Sequence, residues 1–223
     1  MKIIVSDFDG TFFNPKYEEN IRKINEFVEQ GNLLIIATGR GRNNLEKDIQ
    51  DKNIKYSYLI CNDGATIYDA KNQNLYTSYI ETETIYKICN ILDNDLNISF
   101  TLLENDLYAS ASTASAISAK YNDRTLAEKT MNKILDEFDD VTAYLSTNYI
   151  NIRNKITSKK EGIKILQEMF GFKKEDIYVI GDDVNDIEMC EEYESYTYQN
   201  SKIKNYTKNV VNNFKDAIDK IKI

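Results

Sequence analysis

The chain contains no histidine. That absence removes Ser-His-Asp and Cys-His nucleophile pairs, H-E-x-x-H zinc sites and any imidazole base. Chemistry is left to carboxylates, lysine, hydroxyls or a metal held by oxygen. Cysteine is scarce: Cys61, Cys89 and Cys190 are odd in number and far apart, which argues against a disulfide framework or a zinc knuckle and for a reducing compartment. One proline and 8 glycines leave little room for a low-complexity linker. No apolar run approaches the ~20 residues needed to cross a bilayer. Met1 to Val5 leads directly into Asp7 and Asp9 with no signal-peptide core, so a soluble, cytoplasmic protein is expected. Basic residues number 28 against 36 acidic ones, a net charge of −8 with no basic cluster; such a surface repels nucleic-acid backbones and anionic membranes.

What is present is a globular composition, 42% hydrophobic and 29% charged over 223 residues, enough for one large domain or a core carrying a smaller one. Lys2 to Ser6 reads as a strand covered on both faces. Ile21, Ile24, Phe27 and Val28 recur at helical spacing within Tyr17 to Gln30, and Gly31 stands where a helix would stop. Strand Leu33 to Ala37, helix Asn44 to Asp51 and strand Tyr58 to Cys61 follow, and near the C-terminus come helix Ile163 to Phe170 and strands Ile177 to Ile180 and Ser195 to Tyr198. This alternation marks right-handed crossovers in a parallel sheet, an α/β fold of Rossmann-like type. The middle differs: helix Thr84 to Leu92, strands Ile98 to Leu102 and Leu107 to Ala111, helix Leu126 to Phe138, strands Val141 to Leu145 and Tyr149 to Arg153. Paired strands suggest an antiparallel sheet, so residues 81–151 are expected to form a separate α+β unit inserted into a core of residues 1–80 and 152–223.

The chemistry-bearing residues fall at predicted strand ends, where the ligand crevice of an open parallel sheet lies. The first strand runs into Asp7-Phe8-Asp9-Gly10-Thr11. In an extended backbone Asp7 and Asp9 project the same way and Phe8 turns toward the hydrophobic side; carboxylates that close need a cation or a shared proton. Read alone, the pair is equally a solvated strand end with a turn glycine. The second strand ends at Thr38-Gly39, a hydroxyl and backbone N–H groups that can donate to a phosphoryl oxygen or simply form a turn. Gly39 to Asn44 imitates a dinucleotide-binding loop but lacks the third glycine and follows the wrong strand. Ser158 with Glu161 forms a capping box that sets Lys159 and Lys160 in the first turn of a helix. Positive charge there opposes the helix dipole; at 100° per residue Lys159 falls on the apolar stripe of Ile163, Leu166 and Phe170, while Lys160 lies toward solvent. Gly181-Asp182-Asp183-Val184-Asn185-Asp186 closes the next strand with acids four apart, able to hold a hard cation.

Together these stretches resemble the four ordered motifs of the haloacid dehalogenase (HAD) superfamily: D-F-D-G-T at Asp7, A-T-G-R at Thr38, the lysine at Lys159, and G-D-x-x-N-D at Asp182. The inserted unit between the second and third motifs, with Asp63-Gly64-Ala65 near N-G-A, is similar to subclass IIB, the Cof-like and sugar-phosphatase-like members with an α+β cap. The resemblance implies a magnesium-dependent phosphatase acting on a small phosphorylated metabolite, a sugar phosphate rather than a nucleotide. It makes Asp7 the nucleophile and Asp9 the general acid and base. Thr38, Gly39, Lys159 and Asn185 would meet the phosphoryl group or substrate, with Mg2+ held by Asp7, the Asp9 carbonyl, Asp182 and Asp186. Lys160 departs from the pattern, since glycine often follows the motif lysine. A compact cap disfavours large substrates, and its polar candidates are Arg124, Arg153, Tyr108 and Asn151. A phosphomutase or phosphotransferase on the same core and a catalytically silent sugar-phosphate sensor stand as alternatives. A phospho-acceptor receiver domain is disfavoured by length and by the insertion. A monomer or weak homodimer without nucleic-acid or membrane partners is expected.

Overall fold

The computed structural model describes residues 1–93, 98–104, 107–108, 110 and 113–222. The chain divides into two compact units, residues 1–75 with 158–223, and residues 76–157. In chain order the elements are β1 (Ile3–Ser6), α1 (Tyr17–Glu29), β2 (Leu33–Ala37), α2 (Arg42–Ile49), β3 (Tyr58–Cys61), β4 (Thr66–Asp69), β5 (Asn74–Thr77), α3 (Thr82–Asp93), β6 (Ile98–Glu104), β7 (Leu107–Tyr108), β8 (Ala116–Tyr121), α4 (Arg124–Glu137), β9 (Val141–Ser146), β10 (Tyr149–Asn154), α5 (Lys159–Phe170), β11 (Ile177–Ile180), α6 (Ile187–Glu192), β12 (Glu194–Tyr198), β13 (Asn209–Val211) and α7 (Phe214–Lys222).

The first unit is built on a sheet of order β13-β12-β11-β1-β2-β3-β4-β5. The six strands from β13 to β3 run parallel, and β4 turns back antiparallel on β3. Strand β1 is central, and its last residue, Ser6, stands level with Ile180 on one side and Ile36 on the other. Both faces of β1 are buried, as its continuous apolar run requires. On one face Ile4, Leu34, Ile36 and Leu59 pack with Ile21, Ile24 and Phe27 of α1 and Phe214, Ala217, Ile218 and Ile221 of α7. Each such buried aliphatic or aromatic side chain contributes about 1.5–3 kcal/mol. On the other face Gly162 of α5 lies against Ile60 of β3.

The second unit has an antiparallel sheet of order β7-β6-β8-β10-β9 with helices α3 and α4. It has its own apolar cluster, with Ile85, Ile88 and Leu92 of α3, Ala127 and Ile134 of α4, and Ile117, Tyr121, Ile150 and Ile152 of the strands. Where the pattern put the insertion at 81–151, the compact unit runs 76–157. Its two ends are tied into it: Ile80 N–H donates to Ala114 at 2.9 Å, the Asn154 amide to Tyr79 O at 2.9 Å, and Lys155 N–H to Asp140 O at 2.9 Å.

Strand β8, between β6 and β10, is absent from the predicted pattern because Ala116-Ile117-Ser118-Ala119 offers small residues in place of the β-branched and aromatic side chains that mark strands. Strands β4, β5 and β13 and helices α6 and α7 likewise extend the predicted set. The predicted strand Leu107 to Ala111 is described as far as Tyr108; residues 109 and 111 lie outside the described residues. No helix among the described residues is long and apolar enough to cross a membrane.

Candidate active site

Four adjacent parallel strands, β11, β1, β2 and β3, end at the residues that matter. Asp7 is the first residue beyond β1, its N–H still donating to Ile180 O at 2.8 Å and its side chain nearly buried. Lys159, the first residue of α5, is fully buried, and its Nζ donates to Oδ1 of Asp7 and Oδ1 of Asp186, each at 2.6 Å. The other oxygen of Asp186 accepts from the backbone N–H groups of Asp182 and Asp183 at 2.9 and 3.1 Å. Asp182, two residues past β11, accepts from the Thr11 hydroxyl at 2.5 Å. Asp7, Asp182 and Asp186 each offer a carboxylate oxygen, all within 4.8 Å of one another.

The glycine of D-F-D-G-T is set by this crowding. Gly10 has φ +80°, and a Cβ there would meet Oδ2 of Asp182 at 2.8 Å. The loop around it is nailed down by aromatic packing: Phe8 and Phe13 stack at 5.2 Å, Phe12 meets Tyr17 edge-on at 5.4 Å, and the Asn20 amide donates to Phe12 O at 2.9 Å.

Three carboxylates face one ammonium, and the titration of the group reflects it. Burial drives the Asp7 carboxyl well above its ordinary range; Lys159 opposes this, while the charges of Asp186 and Asp182 add to it. Burial also raises Asp182, with the Thr11 hydrogen bond opposing and Asp186 and Asp183 adding. Burial alone would lower Lys159, but Asp186, Asp7 and Asp63 together hold it well above the usual lysine value. A cluster of hard oxygen donors short of positive charge suits a divalent oxygen-seeking cation. Among the described residues no protein donor reaches Oδ2 of Asp7 or Oδ2 of Asp182, whereas both oxygens of Asp186 are engaged. Asp7 and Asp182 therefore each keep one oxygen with no protein donor, while Asp186 can join only with an oxygen already hydrogen-bonded.

Asp9 does not join this cluster. Extended geometry would project it alongside Asp7, but the strand ends at Ser6 and the chain turns at Gly10. The Asp9 carboxylate is gripped by the Arg40 guanidinium, Nε to Oδ2 at 2.7 Å and Nη2 to Oδ1 at 2.5 Å. Burial works against the Arg40 charge, and the hydrogen bonds that Arg40 donates to Asp9 and Asp48 outweigh this and raise its pKa. Thr38, just past β2, is buried; its hydroxyl accepts from the Arg40 N–H at 3.1 Å, and Gly39 lies between them.

Asn185 also points elsewhere than the cluster, donating to Asp63 Oδ1 at 2.9 Å. Lys160 pairs with Glu188 at 2.8 Å rather than with any of the three acids. The Ser158 hydroxyl accepts from Glu161 N–H at 3.2 Å, so half of the expected capping box forms; the Glu161 carboxylate instead pairs with Lys164 and Lys160. In the second unit Arg124 binds Glu128 and Thr147 O, Arg153 binds Thr157 O and lies over the Tyr144 ring, and Ser118 reaches Asn151. The side chain of Tyr108 lies outside the described residues. Thr11, Arg40 and Asp63 hold the site residues in place; all three lie inside stretches singled out in the sequence, D-F-D-G-T, A-T-G-R and Asp63-Gly64-Ala65, but sequence reasoning assigned none of them a role.

The family model of haloacid dehalogenase-like hydrolases matches residues 4–143 and 104–220. An uncharacterised protein of Mycoplasma capricolum is 28% identical, covering 95% of this chain and 97% of its own. The 5-amino-6-(5-phospho-D-ribitylamino)uracil phosphatase of Bacillus subtilis is 24% identical over 86% of this chain and 81% of its own. In three dimensions, a haloacid dehalogenase-like hydrolase of B. subtilis superposes with a TM-score of 0.84 at 17% identity, covering 100% and 99% of the two chains. A HAD subclass IIB sugar phosphatase superposes with a TM-score of 0.81 at 19% identity over 99% and 97%. The chain belongs to the haloacid dehalogenase-like hydrolase family. It is an enzyme, a phosphatase of that family with a Cof-like architecture.

Proposed function

We propose that this phosphatase is magnesium-dependent and hydrolyses a small phosphorylated metabolite, a sugar phosphate in the first instance, through a phosphoryl-aspartate formed on Asp7. One observation carries the reading: Asp7 shares the buried Lys159 ammonium with Asp186 while its Oδ2 meets no protein donor among the described residues, in a chain with no histidine to serve as nucleophile or base. The names of the B. subtilis ribityl-phosphate enzyme and the subclass IIB sugar phosphatase support the substrate class.

In this mechanism one carboxylate oxygen of Asp7 attacks phosphorus, and the bond from phosphorus to the departing alcohol oxygen breaks. Asp9, protonated, gives its proton to that oxygen. The resulting Asp9 carboxylate then takes a proton from water, whose oxygen attacks phosphorus, releasing inorganic phosphate and restoring Asp7 and protonated Asp9. Lys159 and Thr38 hold the phosphoryl oxygens, supplying charge and hydrogen bonds fixed before the reaction begins. Asp7, Asp182 and the Asp9 carbonyl, with Asp186 in support, would hold magnesium, which would supply the positive charge that lets a phosphate dianion approach a carboxylate.

Asp7→Asn keeps the shape and removes the nucleophile. Turnover of a panel of phosphorylated metabolites in magnesium should fall to background while the variant melts cooperatively. Appreciable hydrolysis by folded Asp7→Asn ends the proposal.

A further inference from the structure

Arg40 has a role that the catalytic scheme above leaves unassigned. Its guanidinium is committed on three sides: Nε and Nη2 fork onto the two oxygens of Asp9 at 2.7 and 2.5 Å, and Nη1 donates to Asp48 Oδ2 at 2.5 Å. Its plane lies over two aromatic rings, with Cζ 5.1 Å from the centre of Phe8 and 5.6 Å from that of Phe13. Those rings are themselves parallel, 2° apart. The far anchor is equally fixed, since the Asp48 backbone oxygen accepts from the Tyr17 hydroxyl at 2.9 Å. Arg40 cannot rotate without giving up all of these contacts together.

Among the described residues Arg40 is the one side-chain partner of the Asp9 carboxylate. The Asp9 side chain is 50% exposed and precedes Gly10, a residue at φ +80°. A carboxylate in that position samples several rotamers unless something selects one. An ion pair this exposed contributes only about 0–1 kcal/mol to stability, so the fold does not depend on it. A forked contact does fix direction, because two parallel N–H···O bonds define the plane of the carboxylate as a single point charge cannot.

We infer that Arg40 is the positioning residue for Asp9, holding its carboxylate in one orientation through a fork that Asp48, Phe8 and Phe13 keep rigid. The inference rests on the reading that Asp9 carries the proton to and from the leaving group. Loss of the fork leaves that proton donor present but misaimed, and misaiming costs most where the leaving oxygen most needs a proton.

The test uses the full chain in magnesium with ring-substituted phenyl phosphates, from phenyl to 2,4-dinitrophenyl phosphate, and reads the slope of log kcat/KM against leaving-group pKa. Arg40→Ala should melt as cooperatively as the parent and steepen the slope. Phenyl phosphate should lose about 10²-fold or more, the scale of general-acid catalysis, while the initial dinitrophenolate burst stays within about tenfold. Arg40→Lys should resemble Arg40→Ala, since it restores charge but not the fork. Asp9→Asn is the reference and should steepen the slope the most. If Asp9→Asn steepens the slope and folded Arg40→Ala lowers all substrates equally or none, the role of Arg40 is overturned and that of Asp9 stands. If Asp9→Asn itself leaves the slope unchanged, the proton-carrier reading falls and the positioning role falls with it.

Discussion

Lys159 puts a positive charge in the first turn of a helix, where the dipole and the free N–H groups already favour an anion. Its neighbours explain why it is there. It is buried between Asp7 and Asp186, and removing it would leave two carboxylates facing each other without a cation, a change of the kind that costs about 3–5 kcal/mol. Lys160, one residue on, pairs with the half-exposed Glu188 and is worth about 0–1 kcal/mol. The two should separate cleanly. Lys159→Met should lower kcat by at least about 10²-fold, as expected when a charge at a reacting centre is lost, and the comparison is made in saturating magnesium with circular dichroism as the check on folding. Lys160→Ala should stay within about twofold; the opposite ranking means that Lys160 faces the substrate.

At the scale of elements, the site depends on how the N-terminus of α5 is seated. The turn after β3 runs through three successive left-handed residues, Asn62 at φ 49°, Asp63 at 50° and Gly64 at 95°. Two of these are not glycine, so the segment stores strain of the kind found at functional sites. It brings the Gly64 backbone against Ser158, where a Cβ would lie 2.1 Å from a backbone oxygen. Asp63 in the same turn accepts from Asn185. One turn thus sets both the helix carrying Lys159 and the residue before Asp186. Gly64→Ala must displace backbone rather than a flexible side chain, so denaturant melts should show a loss of at least about 1–3 kcal/mol. Turnover should fall as well, because Lys159 moves with α5. Full activity with unchanged stability would show that the contact is not tight in solution. The turn is only partly visible in the chain itself: Asn-Asp-Gly announces a loop, but nothing local says that its partner is Ser158, nearly a hundred residues later.

Over the whole molecule, the balance of charge sets how stability responds to pH and metal. Asp7 and Asp182 titrate above their ordinary range when folded. For an acid shifted that way the folded state binds more protons than the unfolded one, so stability falls as pH rises from the ordinary carboxyl value, about 3.9, through the raised folded values. A divalent cation on the ionised cluster removes the repulsion and stabilises by mass action. Thermal melts in chelator and in excess magnesium across a pH series should therefore show a magnesium-induced rise in Tm that grows with pH toward neutrality, and a smaller rise in Asp7→Asn. A rise that does not change with pH, or none at all, counts against a cation on these carboxylates. Each of the two units has its own apolar cluster, one joining α1, α7 and the parallel strands and the other α3, α4 and the antiparallel strands.

The sequence by itself determined the class of fold and the family, because both rest on local and ordered signals: apolar runs that read as buried strands, helical spacing between them, D-F-D-G-T, A-T-G-R and G-D-D-V-N-D each at a strand end, and Lys159 at a helix start. The pattern also set Lys159 inward and Lys160 outward, since helical periodicity alone separates neighbours by 100°. It did not show β8, whose small residues carry a weak strand signal, nor use Phe214, Ala217, Ile218 and Ile221, whose helical spacing lies in plain view as α7. Only the tertiary structure decided which charges meet. Asp7, Lys159, Asp182 and Asp186 come from three separate stretches and meet because β1 and β11 are neighbours and α5 begins beside them. Asp9, two residues from Asp7, turns away to Arg40 for the same reason: a partner across the sheet, which sequence distance does not reveal, outweighs the local geometry of an extended chain.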